Sequence, residues 1–320
     1  MKQRVATFDI MKGIAIILML VGHWWAYFPR WLMVWVYSFH MPLFFLLAGY
    51  FHKESADNNL VVKKSFNRLV VPFLAVLAVC FVYNILGAIK NHSWQIFIDQ
   101  VKYAVFPTGV HHAWMRVDAP LEVGPTWFLM AMFWCKVCAN YLLSKKVREE
   151  WIFLIALAAT VLDRYVITLP LGFLTGLSAM MFFIIGYYFA RNPVKPWLAA
   201  LCIICWPICF TYSGLAVNAS YYKLFPLDIL GACGGTLVVY GIAKWIDKNA
   251  PISSKVWSYL GRNSLTILCI HALIRSLWIL DRFHLPETAY FQIPLELFLI
   301  LSLTYLCSKI PFTRRIFQVA

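Results

Sequence analysis

Charge is what this sequence has least of. Only 13% of its 320 residues are Asp, Glu, Lys or Arg, about half the share of an ordinary soluble domain. Carboxylates number 14, against 28 lysines and arginines. So little charge beside 62% hydrophobic residues and a mean hydropathy of +0.72 excludes a water-soluble enzyme. Glycine and proline, at 15 each, are too few for a collagen-like or low-complexity chain. The nine cysteines all lie inside or at the ends of apolar runs and read as small lipid-phase or core residues, so no disulfide framework or redox compartment follows from them. The HExxH motif and any His/Cys cluster are lacking, and Cys135-Lys-Val-Cys138 is a lone CxxC within an apolar segment, so no metal site is expected.

What is present is a series of apolar runs of about 20 residues, each long enough to cross a hydrocarbon layer ~30 Å thick. A backbone in hydrocarbon must satisfy its own hydrogen bonds, so these runs are expected to be helices. Ten spans are expected, at roughly 10–28, 31–51, 70–89, 126–143, 151–169, 171–190, 197–213, 224–243, 263–281 and 290–308. The expected fold class is therefore all-α, a polytopic membrane bundle forming one domain over 1–320, with no repeat, linker or appended soluble domain. Lys2 and Arg4 ahead of an apolar run resemble a signal peptide, but the run contains His23 and no small-x-small cleavage site follows. It reads as a retained first helix.

With the N-terminus placed in the cytoplasm, nineteen basic residues fall on the inner side and eight outside, and Lys136 within the fourth span completes the 28. That asymmetry is expected to put both termini inside. The basic surplus is then largely topological: the lipid bilayer is an expected partner and nucleic acid is not, while a basic inner face also suits a soluble polyanion such as a coenzyme. The longest interhelical stretch, about 90–125, falls outside and carries His92, Asp99, Asp118 and Glu122.

An ionisable residue at mid-membrane costs at least ~2.5 kcal/mol, so each one needs a reason. The first span has three: Asp9, Lys12 and His23. Asp9 and Lys12 are spaced to pair along one helix face, which suits an ordinary interfacial anchor equally well. Lys12 and His23 are eleven residues apart, about three turns, so they share a face some ~16 Å apart along the axis. The second span carries His40 just ahead of Pro42, where the missing backbone donor opens the helix beside a titratable ring. Neutral imidazole is suited to take a proton from a hydroxyl near pH 7; a buried core histidine is the competing reading. Arg68 and Arg262 at the inner face are either lipid anchors or phosphate ligands. His271 lies at i and Arg275 at i+4 in the ninth span, and Trp127 opens the fourth, where an interfacial belt role competes.

These residues resemble a known family. Asp9-Ile-Met-Lys-Gly-Ile-Ala-Ile, Gly22-His23 and Ser38-Phe-His-Met-Pro-Leu-Phe-Phe-Leu-Leu-Ala-Gly-Tyr are similar to the membrane acyltransferase family 3, in its fucose 4-O-acetylase-like branch. Lys12 stands where many members have Arg. Arg68-x3-Pro72, Pro125-x-Trp127-Phe, Gly186-Tyr and Gly261-x-Asn-Ser-Leu-x-Ile-x-x-x-His271 follow in the family's order. The resemblance implies a ten-helix bundle in a bacterial cytoplasmic membrane, acyl-CoA as donor substrate with no permanently bound cofactor, and a carbohydrate acceptor modified on the outer side. On that reading Lys12, Arg68, Arg262, Lys63 and Lys64 would hold the nucleotide phosphates of acetyl-CoA or another acyl-CoA. His23 would act as general base or transient acyl carrier, and His40 would orient it or polarise the carbonyl. Glu122, Trp127, Asp9 and His271 would serve the acceptor. The competing expectations are a proton-coupled transporter or exporter of a lipid-linked glycan, in which the histidines relay protons, and a pseudoenzyme subunit with structural histidines.

Overall fold

The computed structural model describes residues 5–24, 27–92, 94–106, 124–212, 215–277, 279–280 and 289–319. Among them the chain is helical, and the only strand-like pairing is an isolated antiparallel bridge between Ala216 and Tyr221. The helices are α1 (Ala6–His23), α2 (Arg30–Tyr37), α3 (His40–Tyr50), α4 (Asn58–Ser65), α5 (Val71–Asn91), α6 (Gln95–Val105), α7 (Trp127–Ser144), α8 (Glu149–Tyr165), α9 (Phe173–Phe189), α10 (Pro196–Tyr212), α11 (Leu227–Asn249), α12 (Pro251–Arg262), α13 (Ser264–Ser276), α14 (Ala289–Lys309) and α15 (Pro311–Phe317).

Among the described residues seven helical stretches are long and apolar enough to cross a membrane: Ala6–His23, Arg30–Tyr50, Asn58–Asn91, Trp127–Ser144, Pro170–Phe189, Leu227–Asn249 and Tyr290–Lys309. The other three expected spans are shorter helices. α8 and α10 have 17 residues each and α13 has 13. Expected to run to 169, α8 stops at Tyr165, and its end is tied to α9 and to the segment after α10 by the buried Asp163, which accepts the hydroxyls of Thr175 at 2.8 Å and Ser220 at 2.6 Å.

Two spans are interrupted where proline removes a donor. The second divides into α2 and α3 at Ser38–Phe39, one turn ahead of Pro42, with Phe39 at φ −147. Ser38 Oγ covers the break, donating to Trp35 O at 2.7 Å and accepting Trp206 Nε1–H at 2.9 Å. The third passes from α4 to α5 through a π-helical turn, Phe66–Val70, in which the Val71 N–H reaches Phe66 O five residues back. Pro72 cannot supply the N–H that Arg68 O would otherwise accept, and such single π turns are a recognised outcome of a disturbed ladder.

Helices α3 and α9 cross at Gly49 and Gly186, where a Cβ would strike the Phe183 and Leu46 carbonyls, and α1 meets α12 at Gly13 and Gly261 in the same manner. Small residues at such crossings let backbones approach without a gap. The core around them holds Phe45, Phe73, Phe182 and Phe183, all buried. One end of the bundle is identified by contacts that tie α1 to α11 (Thr7–Asp247), α1 to α3 (Phe8–Phe51), the α3–α4 connection to the α7–α8 turn (Glu54–Lys146) and α15 to the π turn (Gln318–Asn67). Lys63, Lys64, Arg68 and Arg262 belong to elements of this basic end and are exposed. At the opposite end, the segment that follows α1 is tied to α14 by Trp24–Glu296 and Tyr27–Gln292.

Candidate active site

His23 is the last residue of α1 and is half-buried. Its Nδ1 lies 2.8 Å from the Met19 carbonyl one turn back. A carbonyl only accepts, so Nδ1 carries the proton and the lone pair of the neutral ring is on Nε2. The tautomer is thereby set by the helix itself.

The ring that stands against His23 is His271, from α13, with centroids 4.9 Å apart and planes at 69°. His271 is fully buried, and its Nδ1 donates to Glu296 Oε1 at 2.6 Å, while its Nε2 is buried and has no hydrogen-bond partner among the described residues. Glu296, on α14, also accepts the indole N–H of Trp24 at 2.6 Å, and Arg275 Nη1 lies 4.0 Å from its second oxygen. α14 is largely exposed, with Phe298 66% and Tyr305 55% accessible, but Glu296, Ile300 and Thr304 are at most 1% accessible. Those three recur every four residues and define the one buried face of the helix.

This arrangement has the logic of an oriented base. A carboxylate holds one imidazole by Nδ1, keeping its Nε2 as acceptor, and the same carboxylate clamps the residue that follows the second imidazole. Glu296 was not among the residues singled out from the sequence, and neither was Trp24. The signal for Glu296 was available: a carboxylate at the middle of the apolar stretch 290–308 carries the same membrane cost that drew attention to His23.

The remaining expected residues are distributed as follows. Asp9 and Lys12 pair at 3.4 Å, with Asp9 buried and the Lys12 ammonium also 6.0 Å from the Phe51 ring centre. His40 opens α3, is buried, and gives its Nδ1 proton to Val36 O at 2.8 Å. Its ring packs on Tyr37 at 5.1 Å, and it lies within electrostatic reach of His23, but the imidazole in ring contact with His23 is that of His271. Trp127 opens α7, half-buried against Phe128. Glu122 lies outside the described residues. Lys63 and Lys64 close α4, Arg68 sits in the π turn and Arg262 ends α12. Among the described residues no group of three or more His, Cys, Asp or Glu is placed to hold a metal ion.

A second polar cluster, at the basic end, was not anticipated. Asn140 of α7 is completely buried and spends its amide on the α3–α4 connection: Oδ1 accepts His52 Nε2–H at 3.1 Å and Ser55 N–H at 3.0 Å, and Nδ2 donates to Ser55 O at 3.1 Å and Asn58 Oδ1 at 2.9 Å. Burial, and then the nearby Lys136, hold the His52 imidazole down from its ordinary value of 6.5 to about 4. His52 is accordingly neutral near pH 7.

A family model described as "Acyltransferase domain" (acyltransferase family 3) matches residues 5–311. Among curated proteins, nodulation protein NolL of Sinorhizobium fredii (strain NBRC 101917 / NGR234) is 28% identical over 232 residues, covering 64% of this chain and 56% of that protein. The chain thus spans about half the length of this curated relative. No solved structure matches the chain.

Proposed function

The chain belongs to acyltransferase family 3, and from that premise we propose that it is an integral membrane O-acyltransferase. It moves an acetyl group from acetyl-CoA, entering at the basic end, to a hydroxyl of a cell-envelope or exported carbohydrate that approaches from the opposite end. The basic end faces the cytoplasm of a bacterial inner membrane. Helices α8, α10 and α13 complete ten crossings with both termini inside, in keeping with the distribution of basic residues.

His23 is the general base. Its Nε2 takes the proton of the acceptor hydroxyl as the oxygen forms a bond to the thioester carbonyl carbon. The tetrahedral adduct collapses with cleavage of the carbon–sulfur bond, and the departing thiolate recovers the proton from His23. The products are the O-acetyl ester and free coenzyme thiol. Glu296 and His271 position His23 and offset the charge of the imidazolium while it exists. His40 faces the reacting groups from the neighbouring span, and Trp127, Asp9 and Glu122 assist substrate binding. Lys12, Arg68, Arg262, Lys63 and Lys64 hold the donor's phosphates, and ~16 Å of helix between Lys12 and His23 matches the reach of a pantetheine arm.

The observation that supports this reading most is the pairing of a half-buried His23, its Nδ1 proton committed to Met19 O, with the buried His271–Glu296 dyad. A positioned base is worth about 10² to 10⁴ in rate. The test is transfer of radiolabelled acetyl from acetyl-CoA to glycan by purified protein in lipid nanodiscs. Wild type labels the glycan and His23→Ala does not. Full transfer by His23→Ala removes the assignment of the base.

A further inference from the structure

The unanticipated cluster at the basic end has too much positive charge for its carboxylates. Lys136 is the tenth of the eighteen residues of α7 and is half-buried. It lies one turn from Asn140 on the same helix face, and Asn140 holds the α3–α4 connection and the first residue of α4 in place. Lys136 is within electrostatic reach of both His52 and Arg68, and Arg191 is within reach of His52. The Arg191 guanidinium is itself fixed, 3.4 Å from the Tyr187 ring centre with Nη1 donating to Tyr187 O at 2.8 Å.

The nearby carboxylate is already engaged. Glu54 accepts Lys146 Nζ at 2.6 Å and Tyr187 OH at 3.4 Å. Neither Lys136 nor Arg68 forms an ion pair with a described carboxylate. An unpaired ammonium at the middle of a membrane helix is costly unless an anion meets it. Here that ammonium has an arginine and a neutral imidazole within electrostatic reach, one helical turn from a buried amide that makes four hydrogen bonds. A small cation site would show the reverse charge, and a protein carboxylate would be expected from a neighbouring helix.

We propose that Lys136, with Arg68 beside it and His52 and Asn140 forming the floor, binds a phosphate group of the donor coenzyme. The assignment rests on the donor reading above and adds to it a ligand in mid-helix, deeper than the exposed Lys63, Lys64 and Arg262. A nucleotide-bearing donor and an anionic lipid headgroup both carry phosphate. The donor reading already brings a soluble polyanion to this basic end, which favours the coenzyme.

The test is equilibrium binding of coenzyme A, with no acceptor present, to the full chain in phosphatidylcholine nanodiscs. Lys136→Met, which replaces the ammonium by an apolar chain of similar length, is expected to weaken binding roughly ten- to hundredfold, as loss of a charge-assisted contact should. Lys136→Arg is expected to restore most of it. For pantetheine, which has no phosphate, the ratio between wild type and Lys136→Met falls to about one. Equal coenzyme affinity in wild type and a folded Lys136→Met overturns the proposal. If instead phosphatidylglycerol in the nanodisc raises the melting temperature of wild type and not of Lys136→Met, with coenzyme affinity unchanged between them, the phosphate is a lipid's and the proposal also falls. Wild type that binds no coenzyme at all overturns the donor reading itself.

Discussion

His271 donates its Nδ1 proton to Glu296 across 2.6 Å, with both side chains withdrawn from solvent. The pair is bonded on one side only, since His271 Nε2 has no described partner and its ring meets His23. A dyad that is complete at the carboxylate and open at the imidazole is arranged to act on a neighbour. Glu296→Gln keeps the volume and loses the charge. Turnover is expected to fall roughly ten- to hundredfold, with the donor KM unmoved, because the contact matters when His23 carries charge. Steady-state acetyl transfer at varied acetyl-CoA checks this; a rise in KM at constant kcat would make Glu296 a binding residue and remove it from the positioning of His23.

Trp24 supplies the second donor to the same carboxylate, at 2.6 Å. Trp24→Phe retains most of the buried ring and removes the N–H. The expected loss is about 1–3 kcal/mol of stability, the usual cost of depriving a buried acceptor of a partner. Thermal unfolding in detergent measures it. Turnover should fall as well, because Trp24 is the covalent neighbour of His23 and its indole fixes the end of α1.

Glycines separate by what surrounds them. A Cβ on Gly49 would meet the Phe183 carbonyl and one on Gly186 the Leu46 carbonyl, backbone atoms that move only if α3 and α9 part. Gly87 and Gly241 have open space at the same position. Gly49→Ala and Gly186→Ala are expected to lower the melting temperature by several degrees, while Gly87→Ala is expected to leave it unchanged or to raise it, since the helix propensity gain is at most ~1 kcal/mol. Equal behaviour of the three variants would remove the close crossing of α3 and α9.

His52 gives a pH dependence with a definite sign. Its folded value of about 4 lies below the ordinary 6.5, so the unfolded chain binds the extra proton first on acidification. Its stabilising contribution is complete above pH 6.5 and is lost as pH falls from 6.5 towards 4. Melting temperature followed between pH 7.5 and 4.5 should decline for wild type and decline less for His52→Gln, which cannot take up the proton. A steeper decline in the variant would place the sensitivity elsewhere.

Much of α1 is legible from composition alone. The rule that a membrane helix tolerates an ionisable group only for a reason is a property of one residue in one apolar run, so Asp9, Lys12 and His23 stand out without any knowledge of neighbours. The Asp9–Lys12 pair at 3.4 Å is likewise a consequence of spacing on a single helix. The same rule applied to Glu296 and Lys136 would have marked them too. The division of the second span at Ser38–Phe39 also follows from a local cause, the proline at 42.

What no single run contains is who answers whom. His271 and Glu296 lie on separate helices and meet because α13 packs on α14, and His23 finds His271 where an imidazole on the adjacent span, His40, was the nearer expectation by sequence. Length alone also overstated α8 and α13, which end at Tyr165 and Ser276, while α10 has the expected extent; where the end of α8 is held depends on partners across the bundle, as Asp163 finds in Thr175 and Ser220. Sequence determined the cost of each buried charge, which is set by the medium; tertiary structure decided its compensation, because partners at 2.6 Å are chosen by how helices cross.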